Sequence, residues 1–244
     1  MTTAFRSAWQ TLIDGYAGTP AILPFRTELA CAPASGLRLS DPDGRQSPID
    51  DFYAAVPDGD APALLAAICA VPPAPRAYLT VAALSDATDA VYRDLGCVYD
   101  SSECLMSVDL TTMVIPPPET AVDILTVADI SAANMADPES MLWLSSANVA
   151  SPDMTHVVIR SGAHIHARAR TLRLADGTSY VSMVYTAPHA RRQGYGRDLM
   201  RALLAADQAA GIHTVVLMSS QMGIPLYQSL GFVPLCTTHI YTLS

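Results

Sequence analysis

Apolar positions along this chain recur with two spacings, and the changes between them mark out the elements. Tyr180 to Thr186 is a β-rich run, and Pro188 blocks its continuation as a central strand. Leu199, Met200, Leu203 and Leu204 then recur at helical spacing, Arg197 and Arg201 fall on another face, and Gly211 is placed to end the helix. His213 to Met218 predicts the next strand, followed by a helix holding Leu226 to Leu235. Upstream, Val122 to Val127 predicts a strand and Ile130 to Asn148 a broken helical stretch with Pro138 near a helix start. Strands follow around His156 to Ile159, Ala163 to Leu174 and Thr178 to Thr186, with Ser161-Gly162 and Asp176-Gly177 as hairpin turns. Thr111 to Thr120, with its triple proline, reads as an extended connector that divides residues 1–115 from 116–244.

The first part repeats the order of the last. Tyr78 to Leu110 and Thr214 to Ser244 both read as a strand, a helix holding Tyr-x-x-x-Gly, and a terminal β run, so Tyr92 and Gly96 correspond to Tyr227 and Gly231. The apolar helix from Ala61 to Val71 sits where Arg197 to Ala210 sits in the second part. Chance likeness of two strand-helix-strand segments is the alternative to an internal repeat.

Composition narrows the class. The chain has 244 residues, half of them apolar and 15% charged, which is ample material for a buried core. The formal charge of -9 disfavours binding nucleic acid through a general basic surface and suits a cationic partner. All 14 basic residues are arginine, as a GC-rich genome would produce; a second reading is that an enzyme holding activated acyl groups gains from lacking side-chain amines. Five scattered cysteines (Cys31, Cys69, Cys97, Cys104 and Cys236) suit reduced thiols rather than a disulfide framework. The opening residues lack the apolar core of a signal peptide and no run approaches a membrane span, so a cytoplasmic protein is expected.

The candidate chemistry sits where the strand ending at Thr186 turns into the helix. Gly194 and Gly196 let the backbone approach a ligand without a Cβ in the way, and the helix start offers N–H groups with no intrahelical partner. Arg191, Arg192 and Arg197 add full positive charges beside the positive end of the helix dipole, so an anion such as a pyrophosphate fits here. A P-loop is excluded because no Gly-Lys pair occurs, and the dinucleotide fingerprint is excluded by Leu199 at its third small position.

From about Val122 onward the chain resembles the GNAT superfamily of acyl-CoA-dependent N-acyltransferases. The resemblance rests on Arg191-x-x-Gly194-x-Gly196, where the family opens its pyrophosphate helix, and on Tyr227 with Gly231-Phe232, the family's Tyr-x-x-x-Gly-Phe. It implies an α/β (α+β) fold, a mixed and mostly antiparallel sheet flanked by helices. A tandem arrangement would make residues 1–115 a degenerate GNAT-like unit, without Arg-x-x-Gly-x-Gly, and residues 116–244 the catalytic one.

The same resemblance implies acetyl-CoA as acyl donor and no metal. Met183, Val184, Tyr185 and Thr186 would hold the pantetheine arm, Arg191, Arg192, Gln193, Gly194, Tyr195, Gly196 and Arg197 would hold the diphosphate, and Ser220 would donate one further hydrogen bond. Tyr227 would protonate the leaving thiolate. The family often has Asn and Ala where Ser220 and Gly223 stand, and many relatives carry a glutamate on the strand Tyr180 to Thr186, which has none here. The general base is therefore open. His164 and His166 alternate beside Arg168 and Arg170 and are more simply a strand face than ligands or a base, His189 belongs beside the phosphates, and Glu139 is an isolated acid on the acceptor side.

Small-molecule or peptide amines are the expected acceptors, with no membrane partner. A protein or aminoacyl-tRNA acetyltransferase and a catalytically silent acyl-CoA-binding regulator are the alternatives. The apolar strand Ile240 to Leu243 offers an edge for a homodimer.

Overall fold

The elements in chain order are α1 (Thr3–Gly18), β1 (Phe25–Cys31), β2 (Ala34–Ser40), β3 (Ile49–Ala54), α2 (Ala61–Cys69), β4 (Arg76–Ala82), α3 (Thr88–Asp94) and β5 (Val98–Asp109). After the proline connector come β6 (Asp123–Ile124), α4 (Val127–Ala136), α5 (Ser146–Ala150), β7 (Met154–Ser161), β8 (His164–Arg173), β9 (Thr178–Thr186), α6 (Tyr195–Ala209), β10 (Thr214–Ser220), α7 (Ile224–Ser229) and β11 (Val233–Leu243). This computed structural model describes residues 2–19, 25–31, 33–40, 47–136 and 144–243; Pro138 and Glu139 lie outside them. The strand expected at Val122 to Val127 shrinks to two residues, because α4 begins at Val127. The N-terminal stretch, for which the sequence suggested no element, is the helix α1, capped by the Thr2 hydroxyl accepting from Phe5 N–H.

All described strands join one mixed, mostly antiparallel sheet in the order β1-β2-β3-β4-β11-β5-β10-β9-β8-β7-β6. The order is nearly a palindrome. β3 lies parallel to β4 and β9 parallel to β10, whereas the four strands in the middle, β4, β11, β5 and β10, pair antiparallel. Each half has therefore given its last strand to the other: β5 pairs with β10, β11 pairs with β4, and the two exchanged strands pair with each other. β11 has both edges filled within the chain, so Ile240 to Leu243 is not a free edge for a partner.

Alternation along the central strands sets the layers. Cys104, Met106 and Val108 of β5 face α6 and α7, where Leu199, Met200, Leu203 and Leu204 are fully buried. Burial of each of those four is worth about 1.5–3 kcal/mol. Leu105 points the other way and meets α1 through Trp9 and Leu12, together with Tyr53, Tyr180 and Val216. The Tyr16 ring lies tilted against those of Tyr53 and Tyr180, with centroids 5.0 and 5.3 Å away, and its hydroxyl hydrogen-bonds to both. No described helix is long and apolar enough to cross a membrane.

The connector is held rather than loose. Buried Asp198 in the first turn of α6 accepts the N–H groups of Glu119 and Thr120 at 3.0 and 2.9 Å, and Gln208 donates to the carbonyls of Leu110 and Met113. These bonds run the proline segment along α6 and fix where that helix starts.

Asp51, beside the tyrosines on β3, carries an acidity with a measurable consequence. Burial, and then the charge of Asp50, push its carboxyl up to about 6. A carboxyl raised on folding favours the native state below its unfolded pKa and loses that contribution as pH rises through the folded value. Asp51→Asn is expected to match the wild type below about pH 4 and to gain about 2 kcal/mol above pH 6. Urea denaturation at pH 4 and pH 8 checks this; equal gains at both would exclude the ionisation as the cause.

Candidate active site

The parallel pairing of β9 with β10 runs from Thr178↔Thr214 to Val181↔Leu217 and stops there. Beyond it the strands part, and the edge of Ser182 to Thr186 that faces β10 has no strand partner among the described residues. The cause is on the opposite edge of β9. Arg168 pairs with Tyr185 and Arg170 with Ser182, so two residues of β9 oppose one of β8, and Met183 takes up the slip at φ +54°. The bulge turns the strand away from β10 and opens a cleft of about 350 Å³.

Met183, Val184 and Thr186 line this cleft on one side, Met218 and Ser220 on the other, and Gly196, Gly223 and Tyr227 close it. The side chain of Tyr185 packs toward the α4 layer with Ala187 and Ala190. Gly194 caps α6 at φ +81° with no side-chain cap, and Arg192 is also left-handed at φ +67°. Among the described residues nothing accepts a hydrogen bond from the N–H of Gly194, Tyr195 or Gly196. Such a run of unclaimed N–H groups at a helix start is an anion cradle. A Cβ on Gly196 would stand 3.2 Å from Leu226 Cδ2, so a side chain here takes space from the cleft.

Arg192, Gln193 and Arg197 are exposed around the cradle. Arg191 differs, since its Nε donates to the Thr186 carbonyl at 3.2 Å and ties the loop to the strand end. Tyr195 is half-buried between the α6 and α4 layers. His164 is exposed, and His166 meets Ser161 and His189, so none of the three histidines lines the cleft. No three His, Cys, Asp or Glu side chains gather as a metal site among the described residues.

Tyr227 is 7% exposed, with its ring edge-on to Phe232 at 5.7 Å. Burial and then the charge of Glu103 push its hydroxyl up to about 12. The two departures from the family pattern have structural readings. A Cβ at Gly223 would lie 2.8 Å from Ser219 Oγ and 3.1 Å from Tyr227 Cε2, so glycine leaves Tyr227 its place. Ser220, at the exposed end of β10, presents its side chain to the cleft in the position noted from sequence.

Glu103 is the acidic residue of the described cleft lining, and the sequence reading did not single it out. It comes from β5, directly opposite Ser220 in the exchanged pairing, and it lines the same opening as Tyr227. No motif surrounds it; only the alignment of the two halves, carried through to a strand exchange, would have brought it here.

A mixed sheet that splays beside a glycine-opened helix defines the acyl-CoA N-acyltransferase fold class. Residues 152–234 match the family model described as acetyltransferase (GNAT) domain, and the chain carries a GNAT domain there. Solved structures agree in fold. A GCN5-related N-acetyltransferase from Kribbella flavida is 21% identical, with a TM-score of 0.66, over 99% of this chain and 96% of that one. One from Sphaerobacter thermophilus is 15% identical, with a TM-score of 0.60, over 85% and 80%. A GCN5-related N-acetyltransferase-like protein from Streptococcus suis is 12% identical, with a TM-score of 0.55, over 86% and 84%. No curated protein matches the sequence.

Proposed function

We propose that this protein is an acetyl-CoA-dependent N-acetyltransferase that transfers an acetyl group to a primary amine by direct attack within a ternary complex. The observation that carries the reading is the cleft between β9 and β10, which has the unclaimed N–H groups of α6 at one end and Tyr227 on its wall. The diphosphate suits the cradle of Gly194 to Gly196, with Arg192 and Arg197 beside it. The unpaired edge of Ser182 to Thr186 suits the amide groups of pantetheine, and an N–H near Val184 is placed to steady the carbonyl oxygen as charge develops on it. Holding amine and thioester in line accounts for about 7–11 kcal/mol of barrier reduction, and one oxyanion donor for about 3 more.

Tyr227 then serves the leaving thiolate. A phenol at about 12 against a thiol near 8.5 is uphill by about 5 kcal/mol for full transfer. Donation therefore proceeds in step with C–S cleavage, not ahead of it. Tyr227→Phe is expected to lower kcat about 10²-fold or more, with acetyl-CoA affinity within about twofold of the wild type. Thiol release across an amine panel, together with calorimetric titration of acetyl-CoA, tests both parts. Unchanged turnover would remove Tyr227, and absence of CoA binding by the wild type would end the proposal.

We read residues 1–115 as a degenerate second copy, supported by the matched pairing pattern about the β5–β11 centre. The start of α2 corresponds to that of α6, yet Asp58 and Asp60 stand there, and Asp58 accepts hydrogen bonds from Ser85 and Thr88. Carboxylates in that place repel a diphosphate, so this copy is expected to leave CoA to the other.

A further inference from the structure

We propose that Glu103, delivered by the N-terminal half through the exchanged strand, is the general base that takes the proton from the acceptor amine. This deepens the acetyltransferase reading and rests on it. β5 lies between β10 and β11, with Glu103 opposite Ser220 on one side and Thr238 on the other. Side chains directly opposite in an antiparallel pair share a face, so Glu103 stands beside Ser220 at the point where β10 has left β9. Leu105, two residues on, packs under α1, which places Glu103 on that same layer and across the sheet from α6. An amine approaching the cleft from the α1 side, opposite the helix that holds the diphosphate, therefore meets Glu103.

The carboxylate is prepared for this role. It is half-buried and lines the cleft with Tyr227, and no hydrogen bond or ion pair to its side chain is formed by any described residue. Structural carboxylates elsewhere in this chain are saturated: Asp50 accepts from Arg38 and Ala74, Asp198 from Glu119 and Thr120, and Asp207 from Thr171, Arg173 and Ser179. Burial raises the Glu103 carboxyl above its ordinary value, toward that of a useful base. β9 lines the cleft with Val181, Ser182, Met183, Val184 and Thr186, none of them acidic, so among the described lining residues Glu103 is the one carboxylate.

The proton balance closes with the residues present. The amine nitrogen forms a bond to the thioester carbonyl carbon and becomes strongly acidic, and its proton passes to the Glu103 carboxylate, directly or through one water. The C–S bond breaks, and the sulfur takes the Tyr227 proton. The phenolate, the stronger base of the two, then recovers a proton from the Glu103 carboxylic acid, which restores both groups. The coupling helps the second step. Ionised Glu103 is one of the two causes that hold Tyr227 up, so neutralising it makes Tyr227 a better acid as the thiolate appears.

The test is Glu103→Gln, nearly isosteric, beside Glu103→Asp, in the full chain. Three quantities are measured: kcat/KM for an accepted amine from pH 5 to 9, acetyl-CoA affinity by calorimetry, and the ultraviolet titration of tyrosine phenolate. For Glu103→Gln the expected result is a loss of 10²–10⁴-fold in kcat/KM near neutral pH, disappearance of the acidic limb, unchanged acetyl-CoA affinity, and a lower titration point for the tyrosines that its charge raises, Tyr227, Tyr16 and Tyr180. Glu103→Asp should recover part of the rate with the acidic limb restored. A Glu103→Gln enzyme with wild-type rate and an intact acidic limb overturns the assignment while leaving the acetyltransferase reading standing. A wild type that binds acetyl-CoA and acetylates no amine overturns both.

Discussion

Gly196→Asp is expected to weaken acetyl-CoA binding at least 100-fold while leaving the fold as stable as before. The two effects separate because the same position serves two masters. As a helix element, residue 196 lies in the first turn of α6, where a carboxylate interacts well with the dipole and is worth about 0.3–1 kcal/mol of stability. Among the described residues a new Cβ meets only the flexible tip of Leu226, 3.2 Å away, which can give. As a ligand surface, the same carboxylate fills the approach to the unclaimed N–H groups and faces the diphosphate. A like-charge contact near 4 Å costs about 4 kcal/mol at an interfacial dielectric, before any lost hydrogen bond is counted. That exceeds the 2.7 kcal/mol or so of a hundredfold loss. Calorimetric titration beside a thermal melt measures both sides, and residual binding should strengthen with salt as the repulsion is screened. Wild-type affinity in this variant would show that the diphosphate does not sit at this helix.

The largest stability effect is expected far from the cleft, at Arg38 and Asp50. Asp50 is fully buried and accepts two bonds of 2.7 Å from Arg38, plus the Ala74 N–H at 2.8 Å; Arg38 also reaches the Pro72 carbonyl. The arrangement binds β2, β3 and the loop before β4 in one place. Arg38→Met removes the partner and leaves the carboxylate enclosed with a single donor, which should cost about 3–5 kcal/mol. Asp50→Leu in the same chain should recover much of it, because the enclosed charge is gone. Urea unfolding of the single and double variants decides the matter; a loss below 1 kcal/mol for Arg38→Met would mean that water or another donor reaches Asp50.

Local patterns carried much of the second half. The turn glycines at 162 and 177 adopt φ +61° and +80°, and Gly211, expected to end its helix, is left-handed; Gly96 and Gly231, read as part of their helices, are left-handed as well and lie just past the helix ends at Asp94 and Ser229. The buried face named for α6 is the buried face found, since period 3.6 with a single apolar stripe admits few other arrangements. The grouping of Met183, Val184, Tyr185 and Thr186 rested on main-chain groups along the strand, and the bulge at Met183 decides where their side chains turn. A bulge leaves little trace in residue type, so the side-chain directions beyond it were not legible. The short β6 and the helix α1 lack strong signals of their own and are stabilised by what they pack on, Val157–Val158 for β6 and the tyrosine layer for α1.

What this sequence determines by itself is whatever neighbours in the chain decide: the helix start with its two glycines, the strand before it, the ring of Tyr227 a turn from Gly231, and the proline break near residue 115. These depend on backbone conformations and periodicities within a few residues of one another. Which strand lies beside which is a different kind of fact. β5 and β11 have the same alternation whether each pairs within its own half or across to the other, and burial is similar either way, so no local pattern distinguishes the two pairings. Only the assembled sheet, with both halves present and α1 laid over their junction, selects the exchange. By selecting it, the tertiary structure brings Glu103 across the connector to stand beside Ser220 and Tyr227.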